Sequence, residues 1–244
     1  EFAGDVPLYT AVGGDDFARL ISGGEALGAV MTEVPSNPLL KTIDFDSVMP
    51  VVRGHGALMI VDDTLATPFN VTAMRHADIV VTSLTKFFCG HGDVFAGAML
   101  LNPEPPHYER LSTASHSNHE ELLWGPDAVV LEERSRDFES RVRRINQVAE
   151  DLADYLRDHT AMETLYYPKF DQVGGYEALR AEQGGYGGLI SILLHDAPRN
   201  APRFYDRLMV SKGPSLGTNY TLVCPYTLLA HYRELEWAES PGVS

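Results

Sequence analysis

The chain reads as an α/β protein: a mostly parallel sheet in a larger first domain, then a smaller α+β domain at the C-terminal end. Three observations predict this. Short apolar runs at 28–34, 57–62 and 79–81 alternate with loop or helical segments, the pattern of βαβ units. The first two runs lead into proline-broken loops at 35–38 and 64–70, where regular structure cannot continue. From Asp127 onward the pattern turns helical, and further apolar runs appear near 163–166 and 189–194.

In chain order, Val6-Pro7-Leu8-Tyr9 suggests the end of a strand, and Gly-Gly-Asp-Asp at 13–16 a turn. Phe17 to Ser22 is a short helix with Asp15 or Asp16 as its N-cap. Gly28 to Val34 is a strand of the buried type and Asp44 to Arg53 a helix. The runs to Asp62 and Val81, then Phe95 to Leu101, supply further strands. Phe138, Val142, Ile145, Ala149, Leu152 and Leu156 recur at three- and four-residue steps and predict one apolar face of a long helix. Arg141, Arg143, Arg144, Glu150, Asp151 and Asp154 fill much of its polar remainder. This helix, 136–158, is expected to connect a large domain at 1–135 to a partial small domain at 159–244 with a helix at Ala201–Met209. The glycines at 184–188 lack the Lys-Ser/Thr of a phosphate loop and read as a flexible lead into the strand that follows.

Composition narrows the function. A net charge of −15 argues against a nucleic-acid or anionic-membrane partner. Cys89 and Cys224 give no disulfide framework and suit a reducing compartment. No apolar run approaches the ~18 residues of a membrane helix, and no signal peptide is visible, so cytoplasm is the expected location. His116 and His119 share i,i+3 spacing, but no further Cys or His pair completes a zinc set. Cys89 reads as a small packed residue rather than a reactive thiol.

The chemistry concentrates in A-D-I-V-V-T-S-L-T-K-F-F-C-G-H-G at 77–92. A β-branched strand ends in Thr82, Ser83 and Thr85, with Lys86 just beyond its carboxyl end, where open α/β sheets bind ligands. Hydroxyls there can hold phosphate oxygens, and a lysine can form a Schiff base with a carbonyl. A solvated loop lysine is the plainer alternative. The second run, A-L-M-I-V-D, ends in Asp62, which parallel pairing would bring to the same sheet edge. A lysine beside a carboxylate suits pyridoxal phosphate: Lys86 for the aldehyde, Ser83 and Thr85 for the phosphate, Asp62 for the protonated ring nitrogen. Alternation at a strand end points Asp62 and Asp63 to opposite sides, which favours Asp62 for that pairing.

E-V-P-S-N-P-L-L-K (33–41), V-D-D-T (61–64) and S-L-T-K (83–86) resemble the pyridoxal-phosphate enzymes of cysteine and methionine metabolism. D-F-E-S-R-V-R-R-I-N (137–146), Y-Y-P-K (166–169) and K-G-P-S-L-G-T-N-Y-T-L-V-C-P-Y-T-L-L-A-H-Y (212–232) are most similar to its fungal cystathionine γ-synthase branch. The resemblance implies the pyridoxal-phosphate transferase fold type I. It implies that Asn37 contacts the phenolic oxygen of the cofactor and the substrate side, where an Asx-turn is the local alternative. It places Thr64 near the pyridine ring and Ser215 near an amino-acid carboxylate. Asp63 stands where the wider family usually has asparagine.

The activity implied is γ-replacement on an O-acyl-homoserine with a thiol such as cysteine, Lys86 moving protons at Cα. Other carbon or sulfur nucleophiles, and elimination, share the early steps. The resemblance also implies a homodimer or homotetramer acting on an amino-acid substrate. It implies further family segments on both sides of this chain, carrying phosphate and carboxylate contacts, so that this chain alone makes an incomplete site. A non-catalytic subunit with the inherited fold is the competing expectation. Asp62, Ser83, Thr85 and Lys86 together argue against it, since a scaffold needs none of them.

Overall fold

Three of the expected strands pair in parallel, and a fourth closes the sheet from the other direction. In the computed structural model, which describes residues 14–21, 27–104, 106–233 and 235, β1 (Ala29–Glu33), β2 (Leu58–Asp62), β3 (Ile79–Ser83) and β4 (Gly97–Leu101) lie in the order β1-β2-β3-β4. The register aligns Glu33 with Asp62 and Asp62 with Val81, so the carboxyl ends of β1, β2 and β3 share one edge. β4 runs antiparallel to β3, with Ser83 opposite Gly97. The strand end expected at Val6–Tyr9 lies outside the described residues.

The sheet is sealed on one face by α2 (Phe45–Gly54), whose Phe45, Val48, Met49 and Val52 pack with Val34, Met59, Val61 and Val80 in the largest core. Asp44 caps α2 by accepting from Ser47 N at 3.4 Å, the kind of contact worth about 1 kcal/mol. At its other end Arg53 grips Asp78, which also accepts the amide of Met59 at 2.8 Å and ties helix to sheet. α1 begins at Gly14 and runs to Ile21, so Asp15 and Asp16 fall in its first turn rather than at its cap, and part of the expected 13–16 turn is helical.

Two other expectations change. β1 alternates between exposed and half-buried instead of being buried throughout, with Met31 63% exposed. It is one of the sheet's two edge strands, and its Ala29, Met31 and Glu33 are exposed among the described residues. The 64–70 segment is not all loop, because Pro68 starts a single helical turn, α3 (Thr67–Asn70), where its missing N–H costs nothing.

After β4, α4 (Tyr108–Asn118) buries none of its residues, which is why no apolar stripe announced it. α5 (Gly125–Ser135) and α6 (Phe138–Arg157) then lead into an antiparallel pair, β5 (Met162–Tyr166) with β6 (Ser191–Leu194), separated by α7 (Gly175–Leu179). α8 (Ala197–Arg207) follows, then the short parallel pair β7 (Ser211–Lys212) and β8 (Leu222–Val223), and α9 (Tyr226–Ala230). Among the described residues no helix is long and apolar enough to cross a membrane.

The 20-residue α6 departs from its expected faces: Arg141 and Asn146 are buried beside Val142 and Ala149, while Leu152 is exposed. Asn146 and the buried Asn70 exchange carboxamide bonds at 2.7 and 3.1 Å. Their oxygens also accept the amides of Gly185 and Gly187, and Tyr176 and Tyr167 donate to the carbonyls of the same two glycines. The 184–188 stretch is thus pinned rather than flexible, held by polar groups that no local pattern reveals.

Candidate active site at the carboxyl edge of the sheet

Lys86 sits in a wide turn, Leu84–Phe88, that begins where β3 ends. Cys89 N reaches back to Leu84 O at 2.9 Å and Gly90 N to Lys86 O at 2.7 Å, while Lys86 itself leaves helical geometry with φ −82° and ψ −124°. Its ammonium donates to Ser215 Oγ at 3.1 Å, across 129 residues of sequence. The loop carrying Ser215 lies directly on the turn. Asn219 N donates to Gly90 O at 2.7 Å, Leu216 packs with Phe87, and Gly217 meets the backbone of Lys86 and Phe87 so closely that a Cβ would stand 2.6 Å from Phe87 N.

The neighbouring strand end is stitched to this turn. Asp62 Oδ1 accepts Thr64 N at 2.9 Å, and Thr64 Oγ1 accepts Ser83 N at 2.8 Å. Thr64 therefore acts as a bridge between β2 and β3. Among the described residues Asp62 Oδ2 and the Ser83 hydroxyl carry no hydrogen bond, so both retain capacity for a ligand. Thr85 differs from its expected role in this conformation: its hydroxyl donates to Ala96 O at 3.2 Å and accepts Ala96 N at 3.0 Å. Its one proton is thus directed at the loop residue that precedes β4, while the Ser83 hydroxyl at the same edge makes no hydrogen bond among the described residues.

Asp63 is separated from Asp62 by burial rather than by distance along the chain. It is 3% exposed, and its Oδ1 has no hydrogen-bond partner. Burial pushes its carboxyl up to about 6, the Thr82 hydroxyl only partly opposing this and the charge of Asp62 adding to it. Glu33, at the end of β1, is a third carboxylate at this edge that sequence reasoning missed. Burial raises its pKa, its bond from Asn37 N (3.0 Å) lowers it, and Asp62 raises it further. The rule that picked out Asp62, a carboxylate closing a parallel strand, would have found Glu33 too. Asn37 lies in the loop after β1, and among the described residues its carboxamide makes no hydrogen bond, so the Asx-turn alternative is not formed.

The other three lysines lie elsewhere. Lys169 pairs with Asp154 and Glu150, which raise its pKa to about 12 and keep it charged. Lys212 donates to Asp206 O at 3.2 Å, and Lys41 is exposed. Cavities of about 240 and 270 Å³ open near Tyr155 and near Lys169, away from Lys86. The candidate site is thus an open strand-end edge with a second loop laid against it.

A lysine and a carboxylate at the carboxyl ends of adjacent parallel strands, faced by a serine from a later loop, define a class of α/β protein suited to a carbonyl cofactor. The chain belongs to the Cys/Met metabolism PLP-dependent enzyme family, whose model matches residues 14–237. It is 43% identical over 230 residues to the cystathionine gamma-synthase of Neurospora crassa, covering 94% of this chain and 37% of that protein. Its fold matches the crystal structure of cystathionine gamma synthase from Xanthomonas oryzae pv. oryzae in complex with aminoacrylate and cysteine with a TM-score of 0.79 and 26% identity, over 94% of this chain and 59% of that one. The gamma lyase CalE6 of Micromonospora echinospora gives a TM-score of 0.80 at 25% identity, over 94% and 60% of the two chains. The chain thus spans a little over a third of the length of the curated relative and about 60% of each of the two solved chains.

Pyridoxal phosphate, the cofactor of the family, is chemically compatible with the donor set. A primary amine with one hydroxyl partner, a carboxylate with an unspent oxygen and a free serine hydroxyl stand at one edge.

Proposed function

We propose that the protein containing this chain catalyses γ-replacement on an O-acyl-homoserine with a thiol nucleophile such as cysteine, using pyridoxal phosphate. The observation that carries the reading is the Lys86 amine, held by Ser215 and, among the described residues, by no carboxylate, beside the strand end that carries Asp62. Similarity to a cystathionine gamma-synthase supports the reaction class. When bound, pyridoxal phosphate supplies an aldehyde that condenses with amines and a ring that withdraws electrons from Cα.

The residues divide the remaining work. With the cofactor bound, Asp62 Oδ2 would hold a protonated ring nitrogen, the Ser83 hydroxyl would hold the phosphate, and the Asn37 carboxamide would serve the phenolic oxygen. Lys86 takes the Cα proton as general base and returns a proton on the same side. The Ser215 hydroxyl can accept from the charged amine or donate to the neutral one, which keeps Nζ in place through both states. A second proton would pass from Cβ to a base, and the γ-acyloxy group would leave with the bonding pair as a carboxylate. The thiol sulfur would add at Cγ with loss of its proton, and protons returned to Cβ and, by Lys86, to Cα would complete the product. Elimination omits only that addition, and the match to a gamma lyase favours it as the second reading.

The same reading makes the protein a cytoplasmic homodimer or homotetramer. Phe95, Leu122 and Trp124, 89%, 82% and 67% exposed, support burial against another chain.

Borohydride reduction in the presence of pyridoxal phosphate is expected to fix the cofactor on the peptide containing Lys86. Label on Lys41, Lys169 or Lys212 instead would overturn the assignment. A product assay on O-acetylhomoserine, with and without cysteine, then separates replacement from elimination.

A further inference from the structure

We propose that Arg141 is a positioning residue for Lys86: its guanidinium, reaching from α6, holds the far side of the turn that aims the amine. This rests on the reading of Lys86 as the cofactor lysine. The turn Leu84–Phe88 is irregular, and its distal carbonyls, Phe87 O and Phe88 O, receive no backbone N–H from it. Such carbonyls are costly when withdrawn from water without a donor. Arg141 supplies the donors. Nη1 bonds Phe87 O at 2.6 Å and Nη2 bonds Phe88 O at 3.0 Å, the two residues that follow Lys86 directly. Nη2 also reaches Arg134 O at 3.0 Å, and Nε reaches Asp137 Oδ1 at 3.2 Å.

Two features separate this arrangement from an ordinary helix ion pair. Arg141 is only 8% exposed, whereas the side chain of its one carboxylate partner, Asp137, is 60% exposed. Most of the fork is therefore spent on carbonyls, and two of the three belong to the lysine turn. The backbone also leaves room for it. Gly90, at φ +76°, lies so near the guanidinium that any Cβ there would overlap it. Lys86 is then held from both sides: by Arg141 behind the turn, and by Ser215 and Gly217 in front. A planar fork can serve two adjacent carbonyls at once, while a single ammonium serves them less well.

The test uses the full-length protein with Arg141→Lys and Arg141→Met. One readout is amide hydrogen exchange at Cys89 and Gly90 without added cofactor, with the α6 amides of Ala149 and Ala153 as internal reference. The other is the fraction of Lys86 trapped by borohydride at limiting pyridoxal phosphate. Arg141→Met is expected to speed exchange at Cys89 and Gly90 at least tenfold, leave the reference amides unchanged and cut trapping several-fold. Arg141→Lys is expected to recover part of both. Wild-type exchange and trapping in both variants would overturn the proposal, and so would faster exchange spread evenly along α6, which marks a general packing role. Arg141→Lys equal to wild type would show that the two-carbonyl fork is unnecessary. If the wild-type protein is trapped at another lysine, the functional reading falls, while the exchange measurements still decide whether Arg141 holds the turn.

Discussion

Helix α6 supports two polar regions, one buried and one at an open edge, that use their hydrogen-bonding capacity in opposite ways. At one, Asn146 meets Asn70 in a closed network: each carboxamide bonds the other, and the spare capacity of their oxygens is taken by the amides of Gly185 and Gly187. At the other, the edge around Lys86, the backbone is equally well held, but the side chains are not spent. Asp62 Oδ2, Asp63 Oδ1, the Ser83 hydroxyl and the Asn37 carboxamide carry no hydrogen bond among the described residues, and Lys86 has one hydroxyl partner. A satisfied network fixes a packing arrangement; polar groups held in place but left unspent are what a ligand can use.

That contrast can be broken by substitution. The largest effect is expected at the open edge: Asp62→Asn should lower activity of the full-length protein about 100- to 1000-fold, or roughly 3–4 kcal/mol, because a protonated ring nitrogen loses its counter-charge. Asp63→Asn should change it far less. Steady-state rates for both variants, with neither unfolding earlier than wild type, check this; equal losses would mean that the wrong carboxylate has been assigned.

The closed network should respond in the other currency. Asn146→Ala leaves the buried Asn70 carboxamide nitrogen and the Gly187 amide without acceptors, at a cost of about 3–4 kcal/mol from two unsatisfied groups. Urea unfolding should register that loss, while borohydride trapping at Lys86 in the folded protein stays at wild-type level.

Asp63 sharpens the comparison further, because its burial is a standing cost at the open edge. Its folded pKa is about 6 against the ordinary 3.8, so between those values the native state holds a proton that the unfolded state releases. Stability from this group therefore falls as pH rises through that window, by at most about 3 kcal/mol at ~1.4 kcal/mol per pK unit. Asp63→Asn should flatten this part of the profile and make the protein more stable at pH 7. Denaturant unfolding at pH 4.5 and pH 7 for both forms measures it, and a wild-type protein that gains stability from Asp63 over this range would contradict a buried carboxylate with an unpaired oxygen.

The local grammar of strand ends carried much of the site. β-branched runs closed by Asp62 and by Ser83 with Lys86 beyond are readable because a strand's residues and its exit loop are adjacent in sequence, and parallel pairing follows from the alternation with helices. Asn37 was marked out only by the family motif, since its local pattern alone reads as an Asx-turn in a proline-bounded loop. Ser215 entered only through the family motif. Thr85 was visible as a hydroxyl, but not as one already committed to Ala96.

By itself, then, the sequence determined which segments become strands, which edge of the sheet gathers Asp62, Ser83 and the hydroxyl residues beside them, and which lysine stands there. Those are consequences of periodicity and of residue types within a few positions of one another. Only the tertiary structure decided the rest. Arg141 reads as one more charge on the polar side of α6, yet it is buried against carbonyls 53 and 54 residues away. Asn70 finds Asn146 across 76 residues, and Ser215 finds Lys86 across 129. Whether a polar side chain is exposed, satisfied or stranded depends on what packs over it, and that partner is set by how whole elements dock, which no window along the chain contains.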